Sequence, residues 1–157
     1  MKISFWSIGK PNDTYIKEGV EDFTKRILKY FPVEWKIIQA PKNAGLLPEK
    51  ELKKKESEII FQALRADDFL VALDEGGKQF SSEGLALFLQ QKATASTKQL
   101  VFLIGGAYGL DGSVLKRADL KWALSQLTFP HQLVRLILTE QVYRACSILR
   151  NEKYHHK

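Results

Sequence analysis

Apolar and polar positions along this chain switch repeatedly between a period of two and a period near 3.6. Residues 3–8 (Ile-Ser-Phe-Trp-Ser-Ile) are short, aromatic and β-branched, and Gly9 and Pro11 stop them, which predicts a strand. After possible caps at Asn12, Asp13 and Thr14, the apolar residues Ile16, Val20, Phe23, Ile27 and Tyr30 fall at 4-3-4-3 spacing, one buried face of a helix closed by Pro32. Val33, Trp35 and Ile37 alternate with Glu34 and Lys36, the pattern of a strand with one more exposed face. A loop with two prolines and a glycine spans 40–48, and a second helix is expected over 49–65, with Leu52, Ile59, Ala63 and Leu64 inward. Residues 69–73 and 100–104 are continuous apolar runs of strand length, suited to a sheet covered on both faces. The first of these is expected to end at Asp74-Glu-Gly-Gly-Lys78. A helix capped by Ser81 or Ser82 separates the two runs. A short helix over 113–118, a fifth strand over 121–124 and a long helix entered at Pro130 complete the order.

Strand and helix therefore alternate throughout. The expected fold class is α/β: a mostly parallel sheet of about five strands, helices on both faces, one domain over residues 1–157. A length of 157 residues is enough to bury a core without staples. No apolar run reaches the length of a membrane span, and residues 1–9 lack the features of a signal peptide. The single cysteine, Cys146, precludes an intrachain disulfide and suits a reducing cytosol; it lies within an apolar helical pattern and is expected to be a small buried hydrophobe. Net charge is +6, which raises the weight of a polyanionic partner. The cluster Lys53-Lys54-Lys55, flanked by Glu49, Glu51, Glu56 and Glu58, reads as a solvated helix face with i,i+4 charge pairs.

In open α/β sheets, ligands sit beyond the carboxyl ends of the strands. Three such ends carry unusual loops: Leu73 with 74–78, Ile104 with Gly105-Gly-Ala-Tyr-Gly109, and Leu124 with 125–130. Glycines there let a ligand approach the backbone closely. The glycine spacing is not that of a dinucleotide fingerprint, and P-loop, H-E-x-x-H and Cys/His metal patterns are absent, so no metal is expected. The last helix is also unusual. Eleven apolar residues between Leu133 and Leu149 cover more than half its circumference, whereas packing on one sheet needs about a third. An identical subunit is the most economical second partner, giving a homodimer through this helix.

Leu73-Asp74 before a glycine turn, Leu103-Ile-Gly-Gly-Ala-Tyr-Gly-Leu110, Leu124-Ser-Gln-Leu-Thr-Phe-Pro-His131-x-Leu-Val-Arg135, Glu140-Gln-Val-Tyr-Arg144-Ala and the terminal Tyr154-His155 form a specific set. Together they resemble the small bacterial 23S ribosomal RNA (pseudouridine-1915-N3)-methyltransferases, minimal members of the knotted SPOUT class. The likeness covers the whole chain and is densest from Leu100 onward. It implies a C-terminal trefoil knot, a cytoplasmic homodimer and S-adenosylmethionine as cofactor. On the matching positions, Leu73, Gly105, Gly106, Gly109 and the loop Leu124, Ser125, Gln126, Leu127, Thr128, Phe129 and Pro130 would form the cofactor site. An apolar slot with a few convergent backbone groups suits adenine.

The acceptor nitrogen of a pseudouridine carries a proton that must leave. His155, in a tail expected to be free to close over a substrate, is the first candidate base. Arg135 is the candidate for stabilising developing negative charge, and Tyr154 for stacking on a base or orienting His155. His131 is as readily a first-turn structural residue, and Arg144 is placed to pair with Glu140 at i,i+4. The family often places arginine after Tyr-His, where this chain has His156 and Lys157. Lys116, Arg117, Lys121, Arg150 and Lys153 are further candidates for contact with 23S rRNA on the ribosome. The alternatives are a non-catalytic ribosome-associated RNA-binding dimer and a SPOUT methyltransferase with another RNA target.

Overall fold

A computed structural model describes residues 1–157. Five strands form one sheet: β1 (Lys2–Ile8), β2 (Val33–Ile38), β3 (Phe69–Lys78), β4 (Gln99–Ile104) and β5 (Leu120–Trp122), in the order β2-β1-β4-β3-β5. Every pairing is parallel, with Phe5 opposite Trp35 and Phe102, and Val71 opposite Phe102 and Leu120. The helices are α1 (Thr14–Ile27), α2 (Glu49–Ala63), α3 (Ser82–Thr94), α4 (Gly112–Arg117) and α5 (His131–Leu149).

Side-chain alternation along the strands separates two cores. Ile3, Phe5, Val71, Leu100 and Phe102 point to the face covered by α1, α3 and α5. Trp6, Ile8, Leu70, Ala72, Val101 and Leu103 point to the other, where Ile60 of α2 and Val114 of α4 pack. Strand β4 is buried at all six positions, which explains the unbroken apolar run that follows Gln99, Leu100 to Ile104. Truncating Phe102, which is fully buried, to Ala would cost roughly 3–5 kcal/mol.

Two expectations change. Strand β3 does not stop at Leu73. It bulges through Asp74–Gly77 and returns at Lys78, so that both Leu73 and Lys78 pair with Trp122. The return is tight: a Cβ on Gly77 would lie 2.5 Å from the Lys121 carbonyl carbon, so only glycine fits. The apolar breadth of α5 is also used largely within the chain. Helix α5 lies between α1 and α3 over the sheet, burying Leu138, Val142, Tyr143, Ala145 and Cys146, and Leu136 packs where a Cβ on Gly19 would meet it at 2.7 Å. Leu133 and Ile137 stay partly exposed, and Tyr15 on α1 and Leu87 on α3 are exposed. Helix α5 therefore packs on three surfaces, α1, α3 and the sheet, and not on the sheet alone. Cys146 is buried as expected, and burial pushes its thiol up to about 12. No helix is long and apolar enough to cross a membrane.

Candidate active site

Adjacent strands whose connections leave toward opposite faces open a crevice at their carboxyl ends. Strand β4 sends the chain to α4 on one face, while its neighbour β3 sends it to α3 on the other. A cavity of about 610 Å³ lies there. Leu73 and Asp74 come from β3, Ile104 ends β4 and the 105–110 loop follows it, Ala123, Leu124, Ser125, Leu127 and Phe129 follow β5, and His131 and Val134 come from the first turn of α5.

The three loops singled out by their glycines thus converge on one cavity. Leu73, Gly105, Gly106, Gly109, Leu124, Ser125, Leu127 and Phe129 all line it; Gln126, Thr128 and Pro130 do not. The glycine loop is held tightly. Gly106 and Gly109 form an antiparallel bridge, Gly109 N donates to Gly106 O at 3.1 Å, and Gly109 takes φ +82°, a conformation that favours glycine. A Cβ on Gly105 would lie 2.9 Å from the Gly109 carbonyl carbon. In the second loop, the Leu127 amide donates to Ser125 Oγ at 3.0 Å, so this amide is engaged in the turn. Leu127 and Tyr108 are exposed at the rim.

This wall fits S-adenosylmethionine. Leu73, Ile104, Leu124, Phe129 and Val134 supply apolar cover, and the glycine loop exposes backbone. Ionisable groups along the wall are Glu49, Asp74 and Glu75 against Lys53, with His131 near the helix start. Burial, reinforced by the Arg135 charge, lowers the His131 pKa and favours its neutral form. A cationic ligand therefore meets carboxylates and carbonyls rather than a crowd of lysines. No group of three or more His, Cys, Asp or Glu is placed to hold a metal ion.

Arg135 has a different place from the one the sequence suggested. It is the largest fully buried side chain and lies outside the cavity wall. Its Nε donates to Ser7 Oγ, and its Nη1 to the Lys10 carbonyl and Asn12 Oδ1, each at 2.8 Å. Gly9, at φ +139°, passes beside it. The guanidinium thus closes the carboxyl end of β1 and fixes the β1–α1 loop through Nε and Nη1. Periodicity places 135 on the inner face of α5 but cannot show which polar groups await it there.

The tail is packed rather than free. Tyr154 sits edge-on to Tyr143 at 4.7 Å and donates to Glu140 Oε1 at 3.0 Å. Arg144 pairs with Glu140 at i,i+4, as expected, and its guanidinium lies 4.8 Å over the Tyr154 ring. His155 is held on both nitrogens, Nδ1 3.3 Å from Arg144 and Nε2 3.2 Å from Glu83. Arginine only donates and a carboxylate accepts, so these partners assign Nε2 as the protonated nitrogen. None of these tail residues lines the cavity of the same chain.

Among the RNA candidates, Arg117 is committed to Asp119 and to the Arg65 and Asp68 carbonyls, while Lys116 and Lys121 form no ion pair. The lysines of α2 form none of the i,i+4 bridges expected of them. Their side chains stay solvated at a separation where screening leaves little gain. One buried group escaped the sequence reading altogether. Glu56 was counted with the solvated flank of that cluster, yet it is 5% exposed. Its spacing from Leu52 and Ile60 at i,i+4 was the available signal.

The fold and cavity define an α/β protein with a cavity of small-ligand size where β3, β4 and β5 end. Residues 1–155 match the family model described as "Predicted SPOUT methyltransferase". A ribosomal RNA large subunit methyltransferase H from Cytophaga hutchinsonii is 48% identical over 156 residues, covering 99% of this chain and 100% of that one. Proteins of the same name from Parabacteroides distasonis and Desulforamulus reducens are 44% and 42% identical, each over at least 99% of both chains. The chain belongs to the SPOUT methyltransferase family, and that membership implies the trefoil knot near its C-terminus.

Proposed function

We propose that residues 1–157 form a single S-adenosylmethionine-dependent methyltransferase unit acting on N3 of a pseudouridine in 23S ribosomal RNA, in the bacterial cytoplasm. The observation that carries this reading is the convergence of Leu73, Gly105, Gly106 and Leu124 on one cavity in a chain of this family. The name of these relatives supports a large-subunit RNA substrate. A net charge of +6 supports a polyanionic substrate such as ribosomal RNA.

When bound, the cofactor supplies an electrophilic methyl group. The protein's contribution is alignment and exclusion of water. Leu73, Ile104, Leu124 and Phe129 give the apolar cover, and the glycine loop the backbone contacts. Gln126, Thr128 and Pro130 complete the second loop without lining the cavity, and act by fixing its course into α5.

The acceptor proton is the task of the tail. His155 Nδ1 is engaged by Arg144, so His155 becomes a base when Arg144 turns toward RNA phosphate or a base carbonyl. Tyr154 positions both through Glu140. Within one chain the tail and the cavity are separate, which supports a homodimer in which a second copy brings its tail to this cavity. Leu133 and Ile137 of α5, with the exposed Leu87 and Tyr15 on the flanking helices α3 and α1, are the apolar surface for that contact.

The test is direct. Purified protein is incubated with labelled S-adenosylmethionine and ribosomes lacking the methyl group, and the label is located by mass spectrometry of digested RNA. Label on the pseudouridine is expected. Cofactor binding without transfer to any RNA would refute catalysis, and label elsewhere would refute the target.

A further inference from the structure

The lysines of α2 form none of the charge pairs their sequence invites, and the fold gives one of them a place beside the cavity. Lys53 is the one ammonium or guanidinium among the lining residues; the acids there are Glu49 of α2 with Asp74 and Glu75 of β3. The glycine loop after β4 leans on the same helix. A Cβ on Gly106 would lie 2.5 Å from Glu56 Oε2, one turn beyond Lys53. At the other end of this loop, hydrogen bonds to Ser113 hold the Asp111 carboxyl below its usual range, and the charges of Lys53 and Lys54 lower it further. Tyr108 lies between Gly106 and Asp111, so the loop carries it past the lysine-bearing turn of α2.

Tyr108 is 52% exposed, yet its backbone belongs to a loop that is tied down. The bridge between Gly106 and Gly109 closes the turn on which it sits. Its ring joins none of the aromatic pairs of the core, such as Phe80 or Phe102 with Trp122. A large π-face is thus held in place at the mouth of the cavity with half its surface open to solvent. An aromatic ring on an ordered loop loses little freedom when it is covered, so its contact surface converts efficiently into affinity.

We infer that Tyr108 and Lys53 form an RNA-contacting rim on the α2 side of the cavity, the ring stacking on a nucleobase next to the acceptor and the ammonium meeting a phosphate. The acceptor base has to leave its stack to reach a methyl group inside the cavity, and its neighbours then lose a stacking partner. An aromatic face at the mouth replaces that partner and tolerates any base. Lys53 supplies the positive charge that the acids of the mouth do not, and a phosphate beside the stacked base falls within the span of a lysine side chain. The inference rests on the RNA-methyltransferase reading proposed above.

The experiment compares wild type with Tyr108→Ala, Tyr108→Phe and Lys53→Met. Binding to ribosomes lacking the methyl group is measured by co-sedimentation across a range of salt concentrations, and binding of S-adenosylmethionine by calorimetry. Tyr108→Ala should weaken ribosome binding about tenfold, as for loss of one stacked base, while cofactor affinity stays within about threefold. Tyr108→Phe keeps the π-face and should bind ribosomes as wild type does. Lys53→Met should lower the slope of affinity against salt by about one. Cofactor affinity that falls as far as ribosome affinity in Tyr108→Ala would make the ring a cover for the cofactor and overturn the inference. Ribosome binding unchanged in Tyr108→Ala, or as weak in Tyr108→Phe, would overturn the stacking; an unchanged salt slope in Lys53→Met would overturn the phosphate contact. Because binding is read without turnover, wild type that binds ribosomes but transfers no methyl group would refute the enzyme reading alone. Wild type that does not bind ribosomes would remove the rim as well.

Discussion

Replacing Arg135 by Met separates the structural role seen here from the catalytic role its sequence position suggests. Methionine keeps most of the stem's apolar packing and removes the guanidinium. Ser7 Oγ, the Lys10 carbonyl and Asn12 Oδ1 then lose the donors they receive at 2.8 Å. Each hydrogen bond to a charged group is worth about 1.5–3 kcal/mol, giving a gross loss of roughly 4–9 kcal/mol. Against this stands relief of the desolvation that lowers the Arg135 pKa. Part of the loss is also recovered because Ser7 can rotate and the Asn12 loop can reach water. The net cost is set at about 3 kcal/mol, within the range for breaking a buried charged network. For a chain of this size that corresponds to a fall in Tm of roughly 6–12 °C. Circular dichroism melts measure it, and cofactor affinity measured well below Tm should remain within about threefold of wild type, since Arg135 does not line the cavity. A Tm within about 2 °C of wild type, with methyl transfer abolished, would refute the burial argument and return Arg135 to the reacting centre.

Other outcomes follow from the same contacts. His155→Ala should leave cofactor affinity intact and lower methyl transfer about 100-fold or more, the usual share of a proton-transfer residue; equal turnover would remove it as the base. Ile137→Glu is expected to shift sedimentation at micromolar concentration from dimer to monomer, and an unchanged dimer would place the interface elsewhere. Gly106→Ala puts a methyl 2.5 Å from Glu56 Oε2 and should weaken cofactor binding at least about tenfold, with Glu56→Ala in the same chain restoring part of the loss. The His131 pKa is lowered by burial, so the folded state binds fewer protons than the unfolded one below about pH 6.5. Its contribution is complete above that value and is lost as pH falls through the lowered folded pKa. Melts taken from pH 8 down to 5 should show a decline that His131→Asn flattens, and parallel curves would refute the assignment.

The element order was largely legible because it rests on local patterns. The 4-3-4-3 spacing from Ile16 to Tyr30 specifies α1, and the unbroken runs 69–73 and 100–104 specify strands buried on both faces. The site was legible in part for the same reason: glycines after Leu73 and Ile104 announced loops where a backbone would be approached. What sequence position does not encode is which side chain meets which partner. Strand β3 continues to Lys78 because Trp122 offers a second pairing, a contact between residues 44 apart in the chain. The apolar breadth of α5 suggested an outside partner, but α1 and α3 use much of it, and only the layer arrangement could show this.

The alternation of strands and helices, the glycine loops at strand ends and the residue types available for chemistry can all be read from the order of residues. The family resemblance in its motifs added the cofactor and the RNA, because convergent motifs carry information that periodicity lacks. Folding is what fixes Arg135 at the carboxyl end of β1, holds the tail on Glu140 and Glu83, and brings Glu56 against the glycine loop. The reason is physical. Periodicity reports which face of an element turns inward, whereas the role of a polar side chain depends on the donors, acceptors and solvent that other elements bring to it.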